Sequence, residues 1–261
     1  MIRNILKIMI LLSVFCSFRV SKILEYSQNL DEKILKKKIV SYTFPGSQKN
    51  GKLEYENFSF SIYHNDKYEI YEFPLTKSYR KINNNTVKID SIVVKSQYLV
   101  AERGNILGLF YSDNSTKKVK KDSLISKYLS FKDISVDSLN TAMKLFRLIT
   151  IEKLQNGTTE EKYVPINQNG TSPTIPDTLC TYFSDSMKDL DYSFSKTLDS
   201  LKKSKYVGFR GVFLSKRYPI ITVEVPTVQT KLEMKEAPID NEKIILKMIQ
   251  QFETDKHLLQ Q

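Results

Sequence analysis

A chain of 261 residues with only two cysteines is no disulfide-stapled mini-protein, so a packed apolar core must hold it together. Its formal charge of +11 suits polyanionic partners such as nucleic acid, acidic glycan or anionic lipid. The cations are mostly lysines scattered among abundant Asn, Ile, Ser and Tyr, which a simple solvated basic surface also produces.

The chain opens Met1-Ile-Arg-Asn-Ile-Leu-Lys7, two cations and no acid, and runs into an apolar stretch from Ile8 to Phe18. Eleven residues are too few to span a bilayer, which needs roughly 20, and Arg19 and Lys22 end the run. The pattern predicts a secretory signal peptide over residues 1–17 and an exported protein, in the periplasm, the cell envelope or the extracellular space. Cys16 closes the apolar run and is the candidate for lipidation, although Phe15 is bulky where a lipoprotein signal prefers a small residue. Removal of Arg3 and Lys7 leaves a charge of +9 and Cys180 as the one remaining thiol, so no internal disulfide is expected. Cys180 lies among Leu179, Tyr182 and Phe183 and reads as a buried, inert thiol.

Residues 18–38 read as a leader helix or linker, and a single domain is expected over 39–261. Its first part has period two. Phe58, Phe60 and Ile62 alternate with Ser59, Ser61 and Tyr63, and His64-Asn-Asp66 turns the chain into Tyr68–Phe73. Asn83-Asn-Asn85 and Gly104-Asn105 bracket a second such unit, predicting an antiparallel meander from about 39 to 113. Helices are expected next, one in which Asp122 caps Leu124, Ile125, Tyr128 and Leu129, and one from Ser135 or Asp137 through Phe146. Residues 148–164 carry β-branched Ile149-Thr-Ile151 and the turn Asn156-Gly157, so two strands are the alternative there. The turn-rich Asn167–Asp177 is a long loop, and a subdomain boundary is possible within 156–177.

Met187, Leu190, Phe194, Leu198 and Leu201 recur at helical spacing, predicting a helix over Ser184–Leu201. Strands are expected at Tyr206–Leu214, Ile220–Val225 and Thr230–Lys235, then a last helix from Asp240 with Ile244, Ile245, Met248, Ile249 and Phe252 on one face. The expected class is α+β, a mostly antiparallel twisted sheet packed by three to four helices.

No motif fixes a chemistry. His64 and His257 are the only histidines, and there is no His-Glu-x-x-His, no Cys-x-x-Cys and no Gly-x-Ser-x-Gly, so no catalytic residue, metal site or cofactor is assigned. Gly208-Phe-Arg-Gly211 matches a GXXG string, but strand-like neighbours make a bulge the better reading. Asp185 and Asp189 share a helix-start position that explains them without acid–base work. Five glycosylation sequons, at Asn57, Asn84, Asn114, Asn156 and Asn169, are what an Asn- and Thr-rich chain produces by accident. The lysine runs are the remaining candidates, and Lys117, Lys118, Lys120 and Lys121 with Lys202, Lys203 and Lys205 form the candidate polyanion-binding set. The reading is an exported, non-enzymatic binding or scaffolding module. The alternatives are an exported hydrolase with dispersed carboxylates and an envelope-polymer or lipid-head-group binder; export argues against nucleic acid as partner.

Overall fold

A computed structural model of the chain describes residues 35–49, 52–83, 86–112, 115–129, 144–166, 175–217 and 224–260. The expected signal peptide with Cys16, most of the 18–38 leader, the turn at Asn84-Asn85 and the helix start at Ser135 or Asp137 lie outside the described residues.

Strands dominate. In chain order they are β1 (Lys36–Lys49), β2 (Lys52–His64), β3 (Tyr68–Asn83), β4 (Thr86–Glu102), β5 (Leu107–Ser112) and β6 (Ser115–Lys120), then β7 (Phe146–Lys153), β8 (Thr158–Pro165), β9 (Thr178–Ser184) and β10 (Lys205–Phe213). The short pair β11 (Lys216–Arg217) and β12 (Glu224–Val225) precedes β13 (Val228–Ala237). Eleven of them form one sheet in the order β6-β5-β4-β3-β2-β1-β13-β10-β9-β8-β7, with every pairing antiparallel. The chain starts in the middle at β1, winds outward to the β6 edge, resumes at the far edge with β7 and winds back until β13 closes against β1. Tight turns set the register: Asn65 Oδ1 accepts the N–H groups of Lys67 at 2.9 Å and Tyr68 at 2.8 Å, an Asx turn joining β2 to β3. Asn156-Gly157 joins β7 to β8, with Gly157 at φ 77°.

The antiparallel meander is as the alternation predicts, but the α+β class with three to four packing helices is overturned. Among the described residues thirteen strands stand against three helices, α1 (Lys121–Leu129), α2 (Lys196–Lys202) and α3 (Glu242–Asp255). Two misread segments account for the difference. The predicted helix over Ser184–Leu201 is the end of β9, a 3₁₀ turn at Asp185–Met187, an irregular stretch and only the short α2. The carbonyls of Leu190 and Tyr192 accept the Lys205 ammonium, at 2.7 and 3.1 Å, instead of a helical N–H. Ser195, extended at φ −157°, then caps α2 by accepting the Leu198 N–H at 3.2 Å. Phe146, expected to end a helix, opens β7, so residues 146–165 take the hairpin alternative.

Cross-strand register assigns the two faces of the sheet. On one, Val40, Phe60, Ile62, Tyr71, Phe73, Leu99, Leu232 and Met234 form the main core, under Ile125 of α1 and Met187, Leu190 and Tyr192 of the connector between β9 and α2. On the other, α3 buries Ile245, Ile249 and Phe252, the last edge-on to Tyr68 at 6.1 Å. These three side chains stabilise the layer by up to about 5–8 kcal/mol. The glycines of Gly208-Phe-Arg-Gly211 lie in β10, where Gly208, at φ 149°, sits at a register shift against β9; a Cβ there would stand 2.0 Å from the Leu232 carbonyl oxygen. A bulge at this point admits no side chain.

Candidate functional site

The period-two pattern of Tyr68–Phe73 places Glu69 on the same face as Tyr71 and Phe73, which sends a carboxylate into the core. Glu69 is fully buried, and an unpaired carboxylate there would cost several kcal/mol, so donors surround it. Tyr71 Oη donates at 2.5 Å, Lys121 Nζ at 3.2 Å, and the backbone N–H groups of Asp191 and Tyr192 at 2.8 and 3.3 Å. The connector is thereby bolted to β3 through one side chain. Burial and the neighbouring Glu69 carboxylate push the Tyr71 phenol well above its ordinary range, so it remains a donor.

Around this hub the connector is tied down again. Asp191 accepts from Gly104 N at 2.5 Å and Arg103 Nη2 at 3.3 Å, and lies 3.9 Å from Lys121 Nζ. Burial alone would raise the Asp191 carboxyl, but the Gly104 N–H and the charges of Lys121 and Arg103 outweigh it and hold it below the usual range. Arg103 also donates to the Asp189 carbonyl, and Lys36 pairs with the Asp189 carboxylate at 2.6 Å. Asp189 is likewise held down by the Lys36 hydrogen bond and nearby His64 and Lys36 against the opposing effect of burial. His64, expected in an open turn, is the last residue of β2 and is buried; burial lowers its pKa, against the pull of Asp189, so the ring is neutral at pH 7.

Beside this ionic cluster the connector and α2 enclose an open cleft of about 580 Å³. Lys188, Lys196, Lys203 and Lys205 line it with Ser193, Ser200 and Ser204, and the acids in its wall are Asp191 and Asp199. Both acids are engaged: Asp191 as above, and Asp199 by Lys205 at 3.2 Å and the Tyr206 N–H at 2.6 Å. Lys205 is buried and spent on the wall itself, whereas the Lys188, Lys196 and Lys203 side chains are exposed. Lys188 and Lys196 make solvent-exposed pairs with Asp185 at 2.8 Å and Asp122 at 3.6 Å, contacts of the kind worth less than about 1 kcal/mol.

Of the lysines singled out in the sequence, the fold brings Lys203 and Lys205 into this cleft. Lys202 instead pairs with Glu161 at 2.7 Å and lies over the Phe183 ring at 5.6 Å. Lys121 is consumed by Glu69. Lys117 and Lys118 are adjacent on β6, so they point to opposite faces, and Lys118 donates to the Leu259 carbonyl at 3.3 Å; Lys120 is exposed at the end of the same strand. The run Lys36-Lys-Lys38 is absorbed by Asp189, Asp240 and Glu236 respectively. Cys180 is buried and free, with Arg210 Nη2 3.6 Å from its sulfur. His257 is exposed in a C-terminal turn, and no cluster of metal-ligating side chains occurs among the described residues.

No family model matches the sequence, and no curated protein matches it significantly. Among solved structures it is similar to a DUF1329 family protein from Desulfovibrio piger, at 10% identity over 80% of this chain and 86% of that one, with a TM-score of 0.17. A superposition that loose assigns neither fold nor function.

Sequence reasoning missed Glu69, Arg103, Lys188 and Lys196. The signal for Glu69 was present, an acid in register with Tyr71 and Phe73 on an apolar face. Lys188 and Lys196 carry no such mark, because they join Lys203 only through the path of the connector.

Proposed function

We propose that this protein is exported and acts by binding an anionic group, the phosphate or carboxylate of an envelope polymer or lipid head group, in the lysine-lined cleft between the connector and α2. The observation that carries the reading is the convergence of Lys188, Lys196 and Lys203 on one cleft whose two acids are already engaged by other groups. A ligand anion there competes only with the weak, solvent-exposed pairs of Lys188 with Asp185 and Lys196 with Asp122, and serine hydroxyls from Ser193, Ser200 and Ser204 supply short-range donors. The carboxylates of the cleft wall favour binding over hydrolysis as the use of this site: Asp191 holds the Gly104 N–H and Arg103, Asp199 holds the Tyr206 N–H and Lys205, and a carboxylate so engaged is a strut, not an acid or base. Export rests on Arg3, Lys7 and the apolar stretch Ile8–Phe18.

The test is co-sedimentation with vesicles containing phosphatidylglycerol, and in parallel with soluble polyphosphate, at low and high salt. Each lysine near an anionic surface contributes about 1 kcal/mol, so Lys196→Gln with Lys203→Gln should weaken binding ~30-fold. Lys117→Gln with Lys120→Gln, at the β6 edge, should leave it unchanged. Equal losses from both pairs would refer the binding to overall charge and remove the cleft from the argument. Preference for vesicles over polyphosphate would make the ligand a lipid head group, and the reverse an envelope polymer.

A further inference from the structure

The two edges of the sheet are guarded unequally. β6 carries Lys117, Lys118 and Lys120, and a row of ammonium groups along open backbone donors and acceptors discourages a second strand. β7, at the opposite edge, pairs among the described residues on one side, with β8. Its Leu148, Ile149 and Ile151 are 42%, 46% and 59% exposed, and Leu145 and Ile166, joined by a 2.9 Å hydrogen bond at its end, are more than a third exposed as well. Apolar side chains along an unpaired strand edge form a surface suited to strand addition.

The sequence of β7 decides what fits it. Its register with β8 puts Phe146, Leu148, Ile151 and Lys153 on one face and Arg147, Thr150 and Glu152 on the other, with Ile149 at the register shift. Two copies of β7 laid antiparallel about an axis between Ile149 and Thr150 set Phe146 against Lys153, Arg147 against Glu152 and Leu148 against Ile151. Each of these pairs joins residues of the same face, as a sheet continued across a two-fold axis requires. Arg147 meets Glu152 of opposite charge twice, once on each side of the axis, and Leu148 meets Ile151 twice. A slip of one residue mismatches the faces, and a slip of two in either direction separates Arg147 from Glu152. We infer that β7 is a self-complementary edge through which two copies of this chain pair into a continuous sheet of twenty-two strands, twice the eleven of one copy. A strand of different sequence would satisfy the backbone but not both ion pairs at once.

Sedimentation equilibrium of the full chain tests this. An eight-residue strand pair is a small interface, so the mass should climb from monomer to dimer between about 1 µM and about 500 µM. Arg147→Glu alone, or Glu152→Arg alone, places like charges opposite each other twice and should weaken association at least ~10-fold. The double variant R147E/E152R restores both pairs with their signs exchanged and should return the dissociation constant to within ~3-fold of the wild type. Arg147 and Glu152 are both exposed on the strand, so circular dichroism should be unchanged throughout. A wild type that stays monomeric over this range, or a double variant no better than the singles, overturns the inference; the edge would then be left to a strand from another protein.

Discussion

Replacing Glu69 by glutamine tests whether the connector is held by the carboxylate or by apolar packing alone. The amide keeps the shape and one oxygen, so the N–H groups of Asp191 and Tyr192 at 2.8 and 3.3 Å can still be accepted. The other end of the side chain becomes an NH₂ facing two donors, the Tyr71 hydroxyl at 2.5 Å and the Lys121 ammonium at 3.2 Å. Lys121, buried, is then left with Asp191 at 3.9 Å as its nearest carboxylate. Removing one partner of a buried pair costs about 3–5 kcal/mol, because the other charge remains out of water. For a domain of this size, 4 kcal/mol corresponds to a fall of about 8–16 °C in melting temperature. Urea unfolding followed by tryptophan-free signals, tyrosine fluorescence and far-ultraviolet circular dichroism, reads the loss directly, since the chain contains no Trp. The double variant Glu69→Gln with Lys121→Met removes the stranded cation and should regain at least ~1 kcal/mol over Glu69→Gln. A single variant less than ~1 kcal/mol below wild type, or a double variant no more stable than the single, would refute the role of Glu69 as an electrostatic bolt.

Gly208→Ala should destabilise by at least about 3 kcal/mol, because backbone strain at φ 149° adds to a Cβ 2.0 Å from the Leu232 carbonyl oxygen. Gly157→Ala, at φ 77° with nothing within 4 Å of the new carbon, should cost only about 1 kcal/mol; equal melting shifts for the two would contradict the steric account. Acid should weaken the fold in stages. Burial holds the folded His64 below its ordinary 6.5, so the unfolded chain takes up that proton first and stability falls as the pH drops below that value. Glu253, which burial would raise, is held at about 2 by hydrogen bonds from Tyr68, Lys256 and Lys67. Its contribution is complete above its ordinary 4.5 and is lost as the pH falls toward 2. Urea midpoints taken from pH 7 to pH 2 should therefore decline, with a shallower decline below pH 4.5 for Glu253→Gln; identical slopes in the two proteins would contradict this.

Local patterns predict the strands well where neighbours in sequence are neighbours in the sheet. Phe58, Phe60 and Ile62, the Asn65 turn and the Asn156-Gly157 hairpin depend on contacts a few residues apart, and each is read from its own segment. The connector defeats the same method. Met187, Leu190, Phe194 and Leu198 have helical spacing, yet the stretch is bent by Lys205, by Glu69 reaching from β3 and by Gly104 from the β4–β5 turn, and Leu201 ends up 70% exposed. Hydrophobic periodicity carries no information about a ligand-like ammonium group that captures the carbonyls a helix would need.

The candidate cleft follows from that bend. Lys203 and Lys205 stand out in the sequence as part of a basic run, but Lys202 beside them and Lys121 of the other run turn out to be structural, and Lys188 and Lys196 enter only because the connector folds back over the sheet. The sequence alone determined the alternation of buried and exposed residues, the turns and the basic balance of the chain, all set by side chains within a few positions of one another. The tertiary structure alone decided that β13 lies between β1 and β10, that Glu69 fastens a segment more than a hundred residues away, and which lysines share a cleft. Those choices depend on the free energy of pairing strands and charges distant in the chain, which no short window of sequence contains.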